Sequence, residues 1–264
     1  MKLDYIDIHS HLNLSPLAEK RQEILEKMKE QNIGTITVGI DLETSRKAII
    51  IAEEYSNYCW AIIGIHPTNI EHIDNALKEL KEIENLINHE KVVAIGETGL
   101  DYFRDQSPET KQKQTEVFKR HIMLAQKVGK PLMLHIRASR GTDDAYYDAL
   151  QILQEMNYQG KGDFHFFSGS VECMQSIINA GYMISVDGPI TFVAEYDEMI
   201  RACPIEKIMI ETDAPYAAPN PYRGKTCEPW MVTEVAKKIA ELKGLEIEVV
   251  REQMMKNTRE FFGI

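Results

Sequence analysis

Short apolar runs recur along the chain, separated by stretches in which apolar residues return every three or four positions. The runs are Tyr5–His9, Thr35–Ile40, Trp60–Ile65, Val92–Gly96, Pro131–His135, Asp163–Phe167, Tyr182–Val186 and Lys207–Ile210. Most are continuous rather than alternating, the pattern of parallel strands covered on both faces. Between them, Leu77, Leu80, Ile83 and Ile87 step at helical spacing, as do Val117, His121, Leu124 and Val128. Ser107-Pro108 reads as a helix start, with a capping hydroxyl and Pro at the first helical position. Val235, Ile239 and Leu242 mark a further helix that Lys243-Gly244 would stop. Eight strands alternating with helices predict a (β/α)₈ TIM barrel, with residues 1–264 as a single domain. A doubly wound open sheet is the runner-up. No Gly-x-Gly-x-x-Gly follows the first strand, so its usual nucleotide signature is missing.

Composition narrows the partners. The chain has 264 residues, 44% apolar and 27% charged, with 30 basic and 41 acidic side chains and a net charge of −11. Its average field repels phosphates, so an anionic substrate needs metal ions or a few local cations. No apolar run approaches the roughly 18 residues that span a bilayer, and no membrane partner is expected. The start, MKLDYIDIHSHL, lacks an uninterrupted apolar h-region, so no secretory signal is expected. The four cysteines, Cys59, Cys173, Cys203 and Cys227, form no Cys-x-x-Cys pair. They read as reduced thiols of a cytoplasmic protein. A monomer is the default, because no long apolar helix face is left over.

The candidate chemistry sits at strand ends. Asp7-Ile8-His9-Ser10-His11 closes the first run, where strand alternation points Asp7, His9 and His11 the same way. His66 closes the third run, Glu97 the fourth, His135 the fifth and His165 the sixth, and Asp213 follows the eighth. These are the C-terminal ends of the strands, where barrel active sites are built. His72, His89 and His121 fall elsewhere, and His121 shares an apolar face with Val117 and Leu124, so it reads as a packed histidine. Imidazoles and carboxylates without thiolates suit Mg²⁺, Mn²⁺ or Zn²⁺. The ligands exceed what one open ion needs and suffice for two, about 3.5–4 Å apart.

The ordered segments Asp7–Leu12, Gly64-Ile65-His66-Pro67, Gly96–Tyr102, His135-Ile136-Arg137, His165–Ser170 and Glu211–Tyr216 resemble the TatD family of metal-dependent hydrolases, within the amidohydrolase-like barrels. Pro221–Lys225 and Glu228-Pro229 continue the likeness. The resemblance implies that His9, His11 and Asp213 hold one divalent ion, His135 and His165 a second, and that Glu97 bridges both. It implies phosphodiester hydrolysis by a metal-held hydroxide, as a 3′-to-5′ exonuclease on single-stranded DNA or RNA. Glu97 and Asp213 would be the catalytic carboxylates, with Asp213 orienting or deprotonating the water. Asp7 would stand behind an imidazole and fix its tautomer. His66 and Arg137 would meet the phosphate, with Arg223 and Lys225 as outer contacts or, equally, parts of a solvated loop.

Departures from the family pattern fall above the site. Ala138–Asp143 is an insertion before Asp144-Ala145 that could reshape access and offer Arg140 to a phosphate. Thr226-Cys227 stands where Arg-Asn is usual, and Asn13 replaces a frequent Asp. Cys227 has no partner that would make it a nucleophile. Tyr102, Phe103, Tyr216 and Tyr222 are candidates for stacking a terminal base. The same ligands could serve an ester or amide hydrolase, such as a D-aminoacyl-tRNA deacylase. A barrel that only binds is disfavoured, since no ligand is missing.

Overall fold

The computed structural model describes residues 2–264. Its strands are β1 (Tyr5–Ser10), β2 (Ile33–Val38), β3 (Cys59–Ile63), β4 (Val92–Asp101), β5 (Leu132–Arg137), β6 (Gly162–His165), β7 (Met183–Val186) and β8 (Ile208–Ile210). They hydrogen-bond in chain order, each pair parallel. The ring closes where β1 meets the segment after β8. The His11 N–H donates to the Ala214 carbonyl at 2.8 Å, and the Asp213 N–H to the His9 carbonyl at 3.0 Å. The fold is therefore a (β/α)₈ barrel. An open doubly wound sheet would reverse its strand order at a switch point, and this order never reverses.

Helices α1 (Arg21–Glu30), α2 (Leu42–Glu54), α3 (Ile73–Ile83), α4 (Pro108–Val128), α5 (Asp144–Glu155), α6 (Val171–Asn179), α7 (Asp197–Ala202), α8 (Val232–Lys243) and α9 (Ile247–Phe262) complete the element order. The start of α4 is the one the sequence predicts: the Ser107 hydroxyl accepts the Thr110 N–H at 3.3 Å and Pro108 takes the first helical position. Its buried stripe, Val117, Phe118, His121, Ile122 and Leu124, repeats every three or four residues and so faces the sheet. Gly244, at φ 62°, ends α8 in the left-handed conformation that glycine adopts without strain. The helical spacing in α3 stops at Ile83, and Ile87 is buried in the turns that follow.

Strand β4 overruns its apolar stretch. It continues through Glu97, Thr98 and Asp101, all buried in the barrel mouth. Gly96 makes this possible. Its φ is +151°, and a Cβ there would lie 2.5 Å from the Met133 carbonyl oxygen of β5. A side chain at 96 would push β4 and β5 apart directly beneath Glu97.

Candidate active site

Five histidines from five loops and strands converge on one carboxylate. His9, His11, His66, His135 and His165 each place a ring nitrogen within 4 Å of Glu97, at 3.4, 3.9, 3.4, 2.7 and 2.9 Å. Parallel register supplies part of this: His135 on β5 pairs directly with His165 on β6. The Asp213 carboxylate closes the other side, 3.4 Å from His11 Nε2 and 3.8 Å from His9 Nε2. Asp213 has φ 51°, in the left-handed region, held by the barrel-closing hydrogen bond from its own N–H. Burial pushes the Glu97 carboxyl up, but the imidazoles of His66, His165 and His9 outweigh it and hold it well below the usual range. Asp213 is likewise lowered, burial being overcome chiefly by its contact with His11. Both carboxylates are therefore ionised at neutral pH.

Contacts at the back of three of the rings, His11, His135 and His66, bear on which nitrogen faces the centre. His11 Nδ1 donates to the Val38 carbonyl at 3.1 Å, leaving its Nε2 lone pair toward Asp213. His135 faces a carboxylate at each nitrogen, Asp101 Oδ2 at 3.3 Å from Nε2 and Glu97 Oε1 at 2.7 Å from Nδ1, so an ion at Nδ1 would leave the Nε2 proton with Asp101. Asp101 is held in turn by the N–H groups of Phe103 and Arg104, each at 3.1 Å. His66 differs. Its Nδ1 accepts the Thr68 N–H at 3.1 Å, so the neutral ring carries its proton on Nε2, aimed at the centre as a donor. Burial and the neighbouring His135 push its pKa down to about 4, which keeps it neutral.

Behind the site lies a buried acid chain. The single Ser185 hydroxyl proton faces Asp163 Oδ2 at 2.7 Å and Glu211 Oε2 at 2.9 Å. Burial, with the Glu211 charge beside it, pushes the Asp163 carboxyl up to about 8. Asp163 is then protonated at neutral pH and donates to Ser185, whose own proton goes to Glu211.

Above the ring of ligands opens a cavity of about 700 Å³. Arg104 and Arg137 line one side, and Pro189, Phe192, Val193, Tyr196 and Tyr216 another. The Arg137 guanidinium rests on the Phe103 ring, 4.0 Å from its centroid, and Arg104 Nε lies 3.6 Å from Asp101 Oδ2.

The donor set fits divalent ions. Four imidazoles and two carboxylates meet in a buried pit without a thiolate. His9 Nδ1, His9 Nε2 and His165 Nδ1 are buried without a hydrogen-bond partner, a state that costs about 1–3 kcal/mol per group if nothing else satisfies it. His9, His11 and Asp213 form one group whose ligand atoms lie within 4.8 Å of one another, and His9, Glu97 and His165 form another.

Residues 6–263 match a family model described as TatD related DNase. The chain belongs to that family. It is 37% identical over 262 residues to YabD of Bacillus subtilis, covering 98% of each chain, and 36% identical over 266 residues to YcfH of Escherichia coli, covering 98% of this chain and 96% of the relative. Both relatives are described as uncharacterized metal-dependent hydrolases. A TatD-family hydrolase of Entamoeba histolytica superposes with a TM-score of 0.88 at 26% identity, covering 99% of both chains. The YJJV homologue of Escherichia coli shares the fold at the same TM-score and 24% identity, over 100% of both chains. The protein is thus a TatD-family metal-dependent hydrolase.

Several expectations for this TatD chain are corrected by the structure. Asp7 touches no imidazole: its carboxylate accepts the Thr212 N–H and hydroxyl, both at 2.9 Å, and braces β1 against the end of β8. Neither Arg223 nor Lys225 lines the cavity. The Arg223 guanidinium lies over the Phe192 ring at 4.3 Å, and Lys225 stands 5.9 Å from the Tyr222 ring. Tyr102 is buried and donates its hydroxyl to Asp148 at 3.0 Å, and Tyr222 packs edge-on against Trp230. Of the four proposed stacking aromatics, Tyr216 alone lines the cavity. The 138–143 insertion is tied down at both ends, the Ser139 N–H and hydroxyl donating to Asp144 and the Ser170 hydroxyl to Asp143, and Arg140 is not among the residues that line the cavity. Cys227 is buried, and burial pushes its thiol up, so it stays a passive group. Asn13 donates to the Val38 and Thr44 carbonyls at 3.0 and 2.9 Å, which an Asp could not do.

Asp101, Glu211 and Arg104 went unrecognised as site residues in the sequence. Glu211 stands two positions before Asp213, the same i, i+2 spacing that singled out His9 and His11. Asp101 and Arg104 are hidden because β4 looked finished at Gly96.

Proposed function

We propose that this protein hydrolyses phosphodiester bonds with two divalent ions, Mg²⁺, Mn²⁺ or Zn²⁺, removing nucleotides stepwise from the 3′ end of single-stranded DNA. The observation that carries the reading is Glu97, an ionised carboxylate reached by five imidazoles at the floor of a cavity with two guanidiniums on its wall. His9, His11 and Asp213 would hold one ion, His135 and His165 the other, with Glu97 between them. Bound there, the ions supply Lewis acidity toward water and phosphoryl oxygen, and the positive charge that a −11 chain otherwise lacks.

The protein's own groups do the remaining work. Asp213, ionised and fixed at the rim, orients the attacking water and accepts its proton. His66, neutral with its proton on Nε2, donates to a phosphoryl oxygen as charge grows on it. Arg137 and Arg104 bind and orient the scissile and neighbouring phosphates, and Tyr216 and Phe192 offer faces for the terminal base. The whole chain acts as one catalytic domain and as a monomer.

The test uses chelator-stripped protein refilled separately with each of the three metals and given a labelled single-stranded oligonucleotide whose 3′ end is free or blocked. Stepwise loss from the free end alone, absent in Asp213→Asn, is the expected result. Cleavage of the blocked strand would overturn the exonuclease reading. No cleavage by metal-loaded protein would move the scissile bond to an ester or amide, with aminoacyl-tRNA the next substrate to try.

A further inference from the structure

The rings of His9 and His165 are stacked, and a carboxylate lies along each edge of the stack. On the cavity edge, Glu97 presents Oε2 to His9 Nε2 at 3.4 Å and Oε1 to His165 Nε2 at 2.9 Å. On the buried edge, Glu211 presents Oε2 to His9 Nδ1 at 3.9 Å and Oε1 to His165 Nδ1 at 3.4 Å. Among the described residues no other carboxylate lies within 4 Å of either Nδ1, and neither Nδ1 has another partner. Glu211 is fully buried and its two oxygens are held differently: the Phe166 N–H donates to Oε1 at 2.6 Å, and the Ser185 hydroxyl to Oε2 at 2.9 Å.

We propose that Glu211 is a positioning residue shared by both ion sites, its two oxygens fixing the Nδ1–H tautomer of His9 and of His165 at once. A neutral imidazole has one N–H and one lone pair. A carboxylate repels a lone pair and attracts an N–H, and Glu97 is the nearer of the two, so the proton is settled once an ion takes each Nε2 lone pair on the cavity edge: it then sits on Nδ1, against Glu211. At 3.9 Å the His9 contact acts by charge rather than by a formed hydrogen bond. The imidazoles belong one to each proposed ion site, so this inference rests on the two-ion reading.

The unequal holding of the two oxygens makes the inference sharp. In Glu211→Gln the amide oxygen must take the Oε1 position, because the Phe166 N–H points there. The amide NH₂ then faces Ser185 and His9 Nδ1. His165 keeps its acceptor, whereas His9 meets a donor and moves its proton to Nε2, where it blocks an ion. The loss should therefore fall on the site of His9, His11 and Asp213, by the 10–100-fold typical of removing a partner behind a ligand, and spare that of His135 and His165.

Two measurements test this. Imidazole ¹⁵N spectra of Zn²⁺-loaded protein should show Nδ1–H at both His9 and His165. In Glu211→Gln, His9 alone should switch. Calorimetric titration with Zn²⁺ should show two sites in the wild type and one selectively weakened site in the variant, with thermal melting as the check on folding. Nε2–H at either histidine of the wild type overturns the inference even if the variant fails to fold. So do unchanged tautomers and affinities in a folded variant. A wild type that binds one ion instead sinks the two-ion reading, and the spectrum of the histidine that holds that ion still decides the role of Glu211.

Discussion

The imidazoles of His9 and His165 lie face to face, centroids 4.1 Å apart and planes 14° from parallel. Stacked this closely, two imidazolium ions would repel: burial first, and then the neighbouring His165, push the pKa of His9 down. Glu97 relieves the pair from above. Replacing it with Ala removes the charge on which both rings, and both proposed ions, depend. Glu97→Ala should lower metal affinity by at least about 100-fold, more than loss of a partner behind a ligand typically costs, and abolish hydrolysis. Metal content by elemental analysis, beside the rate, checks this. Full loading with an unchanged rate would show that Glu97 bridges nothing.

The cationic wall can be separated from the floor. Arg137 lines the cavity on its Phe103 support, and Arg104 stands beside Asp101. Neither offers a lone pair to a metal. Arg137→Ala should raise KM for an oligonucleotide roughly tenfold or more, the scale of a lost charge-assisted contact of about 1.5–3 kcal/mol, with metal content unchanged. Arg223→Ala should leave KM within about twofold, because that side chain packs on Phe192 outside the cavity. The reverse order of effects would place the phosphate path along the 221–225 loop.

Much of this architecture was legible because parallel strands in a closed barrel are apolar on both faces, and runs such as Val92–Gly96 cannot be much else. The ligands were legible because His9, His135 and His165 sit where such runs turn polar. What escaped was polar burial inside the barrel. Thr98 and Asp101 carry β4 on past Glu97, Asp101 held by His135 and by the N–H groups of Phe103 and Arg104, and no hydrophobic pattern records that. Loop contacts escaped for a related reason: Arg223 and Tyr102 look like site residues in a motif, but a ring beneath the one and Asp148 beside the other take them up.

His121 carries a pH signature of its own. It is fully buried, its Nδ1 donating to the Val117 carbonyl at 2.8 Å and its Nε2 accepting the Ile65 N–H at 3.0 Å. Burial pushes its pKa down to about 4, against 6.5 in an open chain. The unfolded chain therefore takes up the proton first. Stability from this residue is complete above about pH 6.5 and is lost as the pH falls toward 4, up to about 3 kcal/mol in all. His121→Leu should flatten that part of the pH profile relative to wild type, while costing about 1–3 kcal/mol at neutral pH for the unpaired Ile65 N–H. Denaturant melts of both proteins across pH 4 to 7 make the comparison. Parallel curves would mean that His121 is not the group that titrates.

Charge also limits how much nucleic acid the protein can hold. With 41 acidic against 30 basic side chains, the surface as a whole repels a polyanion, and two guanidiniums line the cavity. A cavity of about 700 Å³ admits a strand end rather than a long track. Two phosphates neutralised on a single strand correspond to a slope of about −1.4 in log affinity against log salt. Binding of a 3′-ended oligonucleotide to Asp213→Asn, measured over a range of salt at fixed metal, should give a slope of that order, and lengthening the strand should add little affinity. A slope several times steeper would require a cationic path across the outer surface, and the acidic surface would then not be what limits the footprint.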